Sequence, residues 1–180
     1  MDLKAWLGFG RRKGREIPVE RLYGAVVAAS RHPALYEIHG LPDTLDGRFE
    51  SLVLHGLVVL RRLRALPAPA QDVAQDLVDA VFAHLEIAMR ESGIGDFGVP
   101  KRMKKLGTGF YDRLTAYEAA LDAGPDALAA ALGDRLGLPD GLGSFAREIV
   151  AAEARLATCD LAAILAAPPL RSGTTRENAA

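Results

Sequence analysis

Apolar residues recur every three or four positions from Pro18 to about Leu165, and no run of β-branched residues alternates with polar ones, so the pattern predicts an all-α chain. Six helices are expected, at 18–31, 46–64, 71–92, 100–122, 126–136 and 144–165, packed as a single helical bundle. The first carries Leu22, Val26 and Ala29 on one face and stops ahead of Pro33, because the residue before a proline is held out of the helical region. The stretch 32–43 reads as a loop. Thr44 or Asp46 caps the second helix, and Pro67 and Pro69 end it. The third turns Leu77, Val78, Val81, Leu85 and Ala88 inward and Asp72, Asp76, Asp79 and Glu86 outward, with Gly93 as its C-terminal cap. The fourth has the clearest stripe, Met103, Leu106, Phe110, Leu114, Tyr117 and Leu121, and Ser144 is the expected cap of the sixth. A basic amphipathic segment, 1–16, precedes the body at 17–166, and 167–180 reads as a mobile tail too polar to bury.

Composition narrows the function classes. A chain of 180 residues with 49% apolar and 25% charged residues suits one globular domain. The net charge of −1 removes any argument from bulk charge for a nucleic-acid binder, and no DNA partner is expected. Cys159 is the one cysteine, which excludes an internal disulfide and suits a reducing, cytoplasmic compartment. The apolar run Leu52 to Leu60 is far short of the ~20 residues a membrane helix needs.

Catalytic signatures fail in turn. The four histidines form no pair at i, i+4 spacing and no Glu-x-x-His pair exists, so no metal or cofactor is expected. Asp72, Asp76 and Asp79 fit a solvated acidic face better than a magnesium site, since the adjacent carboxylates of aspartate-rich motifs are missing. GIGDFG, 93–98, matches a dinucleotide fingerprint in letters only, because it follows a helix rather than a strand. Cys159 reads as a small core residue with no base beside it.

Three features call for more than packing. Lys101, Arg102, Lys104 and Lys105 crowd the first turns of the fourth helix, where the helix dipole disfavours cations by roughly 0.3–1 kcal/mol each. They either pair with the acidic face of the third helix or form a surface for an anionic partner. Gly107 and Gly109 interrupt the same helix, which implies a close approach or a groove beside Phe110 and Tyr111. Leu3, Trp6, Leu7 and Phe9 precede Arg11, Arg12 and Lys13, a pattern that suits either a membrane interface or a tail packed on the bundle. His55, among apolar positions of the second helix, reads as a hydrogen-bonded core histidine rather than a ligand.

The segments LYGAVVAASRHPALYEIHGLPDTLDGRFESLVLHGLVVLRRLR (22–64) and MRESGIGDFGVPKRMKKLGTGFYDRLTAYEAAL (89–121) resemble the ubiquinol-cytochrome c chaperone family, in its bacterial rather than its mitochondrial branch. The family-like positions are Asp43, Gly47, Arg48, Phe49, Leu54 and His55 in the first block. In the second they are Gly95, Asp96, Val99, Lys101, Lys104, Phe110, Tyr111 and Arg113. The resemblance implies a non-enzymatic assembly factor that holds nascent cytochrome b and, in mitochondria, works beside the ribosome with a small helical co-chaperone; the N-terminal pattern adds an expected peripheral contact with the inner face of the cell membrane. Its partner-binding residues would be Lys101, Arg102, Lys104, Lys105, Phe110, Tyr111 and Arg113. The alternative is a basic adaptor that binds ribosomal RNA or anionic lipid without a client. An enzyme acting on a lipid or quinone is the third reading.

Overall fold

Residues 53–60 are hydrophobic on every side apart from His55, and a helix of that kind is stable in water only when neighbours surround it. In the computed structural model of the protein, the described residues are 16–91, 98–138 and 142–171. These form eight helices and no strand: α1 (Glu16–Ser30), α2 (Pro33–Glu37), α3 (Leu45–Ala65), α4 (Ala70–Glu91), α5 (Val99–Ala123), α6 (Pro125–Leu136), α7 (Gly143–Leu156) and α8 (Leu161–Ala166). Residues 53–60 are the middle of α3 and every one of them is buried. Helices α1, α4, α5 and α7 pack around α3, with α6 bridging α5 and α7.

Each outer helix contributes one apolar stripe. Val19, Leu22, Val26 and Ala29 of α1, Val73, Leu77, Val78 and Val81 of α4, and Phe110, Leu114, Tyr117 and Leu121 of α5 all enter one core. Gly137 closes α6 in the left-handed region at φ 68°, where a side chain would be strained, and lets Leu138 N–H donate back to the Gly133 carbonyl at 2.8 Å.

The structure departs from the sequence pattern in four places. The expected loop after Pro33 contains α2, started by His32, whose Nδ1 accepts from Ala34 N–H at 3.2 Å, and anchored by buried Leu35. The expected helix 144–165 is broken, because Asp160 starts a new helix by accepting from Ala163 N–H at 2.8 Å. Ser144 is not a cap: α7 begins at Gly143, and the Ser144 hydroxyl is instead hydrogen-bonded to His39 Nδ1 at 2.8 Å. Asp76, assigned from periodicity to a solvated face, is buried.

The body also extends beyond residue 166. Leu170 is buried against the core, and Arg155 Nε donates to the Pro169 carbonyl at 3.0 Å. Within α4 and α5 burial ends abruptly, so that apart from Val99 no residue in 82–91 or 98–109 is buried. Those two stretches form a two-helix finger, joined where Phe82 lies against Phe110 and Tyr111 and bordered on the α4 side by α1, whose Tyr23 stacks on His84.

Candidate functional site

The start of α3 is a corner fixed by its own hydrogen bonds. Thr44 caps the helix by accepting from Gly47 N–H at 3.1 Å, and Asp43 receives the Arg48 Nε–H at 2.6 Å across the exposed side of the turn. That hydrogen bond holds the Asp43 carboxyl below its ordinary range. Gly47 is required here, since a Cβ would collide with the Pro42 carbonyl oxygen, a backbone atom that cannot swing aside. Gly47→Ala is therefore expected to destabilise the protein by roughly 1–3 kcal/mol, read from the urea midpoint with the m-value unchanged.

Behind the corner lies a buried clamp. Glu50, 1% exposed, accepts from Arg113 Nε at 2.7 Å and from the Tyr117 hydroxyl at 2.6 Å. The Arg113 guanidinium also donates to the Gly109 carbonyl at 3.0 Å and lies 5.0 Å over the Phe49 ring, while Arg135 covers the Tyr117 ring at 5.6 Å. Burial, then the hydrogen bond to Glu50, raises the Tyr117 phenol well above its usual pKa. Gly109 leaves room for this arrangement, because a Cβ there would press on the Arg113 Nη1 at 3.1 Å. Gly107 faces Phe82 at ordinary contact distance, 3.8 Å. The interrupting glycines thus seat one arginine and one aromatic edge rather than bringing two helix backbones together.

The seven residues expected to bind a partner divide into two groups. Lys101, Arg102, Lys104 and Lys105 are exposed, and none makes an ion pair among the described residues. Two of the acids expected to neutralise them have other partners: Glu86 pairs with Arg90 at 2.7 Å, and Asp79 accepts from Gln75 at 3.0 Å. Phe110 is buried instead of surface-exposed, packed edge-on to Phe82 with ring centroids 5.3 Å apart. Tyr111 is half-buried beside both rings, and burial, then the nearby Asp79 charge, raises its phenol pKa. Arg113 is engaged inside the protein by Glu50 and Gly109, so it positions α5 on α3.

His55 is fully buried. Its Nδ1–H donates to the Ser51 carbonyl at 2.8 Å, its Nε2 has no partner among the described residues, and burial lowers its pKa to about 4. It is a neutral core imidazole facing Phe145, with ring centroids 6.4 Å apart. Cys159 packs against the core, and its thiol donates to the Arg155 carbonyl at 3.6 Å. Among the described residues no three His, Cys, Asp or Glu side chains are grouped to hold a metal ion, and no helix is long and apolar enough to cross a membrane.

Sequence reasoning passed over Glu50, whose signal is a carboxylate inside the apolar stripe of α3. It also passed over the exposed apolar side chains Ile38, Leu45 and Ile87, at 70%, 85% and 52%. Leu3, Trp6, Leu7, Phe9, Arg11, Arg12, Lys13, Gly93, Gly95, Asp96 and the tail from residue 172 lie outside the described residues.

With this geometry in place, three comparisons bear on the chain. Residues 37–171 match the family model described as ubiquinol-cytochrome C chaperone. The crystal structure of the Cbp3 homolog from Brucella abortus is similar to this chain at 38% identity and a TM-score of 0.74, over 86% of this chain and 88% of that one. No curated protein sequence matches.

Proposed function

The chain belongs to the ubiquinol-cytochrome C chaperone family, and from that membership we propose that it binds newly made cytochrome b and holds it while respiratory complex III is assembled. Its work in this reading is binding, not catalysis. The observation that carries the reading is the finger: Phe82 and Leu85 of α4 and Met103 and Leu106 of α5 are only partly buried, on helices that carry four exposed cations without an ion pair among the described residues. An apolar segment of a membrane protein suits these side chains as a helix-in-groove ligand, and the cations hold its polar flank. Phe110 and Arg113 support this surface from beneath. The cations are also the part suited to a ribosome or a small helical co-chaperone.

A strain lacking the protein is expected to lose cytochrome b and assembled complex III while c-type cytochromes persist, as read by heme-stained gels and a reduced-minus-oxidised spectrum. The Lys101→Glu/Lys104→Glu variant should fold within about 1 kcal/mol of the parent and fail to restore them. Normal cytochrome b in the deletion strain, with no second copy of the gene, would overturn the reading. A phosphate-binding adaptor without a client uses the same cations, and salt separates the two: binding to the apolar side chains survives raised salt, whereas phosphate binding falls steeply with it.

A further inference from the structure

Beyond α8 the chain continues as a strap, residues 167–171, in which Pro168 and Pro169 have no N–H to offer a neighbour. Ala167 N–H donates to the Ala163 carbonyl at 3.0 Å and Leu170 N–H to the Pro168 carbonyl at 2.8 Å, so both bonds stay inside the segment 161–171. A side chain and a carbonyl fasten the strap to the body. Leu170 enters the core at 3% exposure, and Arg155 of α7 donates from Nε to the Pro169 carbonyl at 3.0 Å while its Nη2 donates to Glu148 at 2.9 Å.

The strap crosses between helices. Its leading helix α8 packs against α1, its Pro169 is held by α7, and α1 and α7 both pack on α3. The charge of Arg171 acts on His55 of α3, as do those of Glu148 and Arg155, and it also acts on His32 at the start of α2. Leu170 therefore closes the core where α1, α3 and α7 meet. Helix α8 adds little to hold it there, since Ile164 is buried but Ala162, Ala163 and Ala166 are exposed. Such a segment can lift without moving another described helix, and it belongs to the least stable part of the fold.

We propose that the strap is an internal stand-in for a ligand: it occupies a peptide-binding groove between α1 and α7 and yields it to an extended apolar segment of another chain. The strap itself defines what fits, namely a leucine-sized anchor for the core and, one residue before it, a backbone carbonyl for Arg155. Because it is tethered, the strap competes at an effective concentration of about millimolar, which keeps the groove closed to dilute or poorly matched segments. The contact is thus autoinhibitory. The proposal rests on the chaperone reading only for the source of the displacing segment, a newly made membrane protein.

Two measurements on the full-length protein test this. In the parent, hydrogen exchange read by mass spectrometry should open 161–171 at least ~100-fold more often than residues 53–63 of α3. Equal protection of the two segments, meaning that the strap leaves only when the whole domain unfolds, overturns the proposal. The peptide acetyl-AAPPLR-amide, the sequence of residues 166–171, is then titrated in the millimolar range into isotope-labelled Leu170→Ala and followed by NMR. Shifts are expected at Arg155 and along residues 51–55, with occupancy at least ~10-fold above that in the parent, where the tethered strap competes. The same peptide with serine in place of leucine should shift neither, and Arg155→Gln added to Leu170→Ala should weaken the binding. Absence of shifts in Leu170→Ala, with α3 protected as in the parent, overturns the proposal, as does equal occupancy in parent and variant. Should Leu170→Ala lose its helicity, Leu170→Val, which keeps a smaller anchor, is titrated instead and judged by the same outcomes. Neither measurement contains cytochrome b, so the groove and the client reading can fail separately.

Discussion

Arg113→Met is expected to cost about 3–5 kcal/mol of folding stability, the largest single effect anticipated here, because it strands the Glu50 carboxylate inside the protein. The side chain of Glu50 is 1% exposed and that of Arg113 21%, so water cannot replace the lost partner at the carboxylate. Tyr117 still donates its hydroxyl to Glu50, but one neutral donor does not offset a buried charge. Glu50→Gln should be milder, since an amide still accepts from Tyr117 and Arg113 keeps the Gly109 carbonyl and the Phe49 ring. In that background the further change Arg113→Met should cost about 1 kcal/mol or less, which gives a coupling of at least ~2 kcal/mol. Urea unfolding of the four proteins followed by circular dichroism measures the cycle. Additive losses would mean that the pair does not hold α5 to α3.

The second large effect is acid sensitivity centred on His55. Burial depresses its folded pKa to about 4 from the ordinary 6.5, so below pH 6.5 the unfolded chain takes up a proton that the folded one refuses. Stability attributable to this residue is intact above pH 6.5 and falls as pH drops toward 4, by about 2 kcal/mol at pH 5 and ~3 kcal/mol at the lower limit. His55→Gln keeps a donor for the Ser51 carbonyl and removes the titration. Its unfolding free energy, lower than the parent's at pH 7.5, should change less between pH 7.5 and pH 5. Parallel pH curves for parent and variant would show that some other group sets the acid limit.

Helices with a long one-sided stripe were legible in the sequence, since the 3.6-residue period of α4 and α5 is local information. The elements that escaped are short or decided by a single cap. Helix α2 has five residues and one buried anchor, too little for a period to show, and the break before α8 depends on Asp160 competing successfully with continuation of the helix. The basic cluster on α5 was visible as a conflict with the helix dipole, but that conflict alone left open whether acids of the preceding helix would pair with it. The role of Arg113 was not visible, because Glu50 is 63 residues away along the chain and nothing near either residue encodes the pairing. Phe110 misled for a related reason: an aromatic beside two glycines looks the same in sequence whether the glycines open a groove or accommodate a packed ring.

The seam between the first and last helices has a consequence for the order of synthesis. Helix α1 packs against α8, and Leu170, four residues past the end of α8, completes the buried core. A ribosome that has made α1 through α7 has therefore delivered most of the apolar surface but not what covers the side facing α8. Closing contacts separated by nearly the whole chain pay their loop-closure entropy last. The domain thus reaches its final packing only after residue 171 has left the exit tunnel, and until then the unfinished protein leaves the α8-facing side of its own core uncovered.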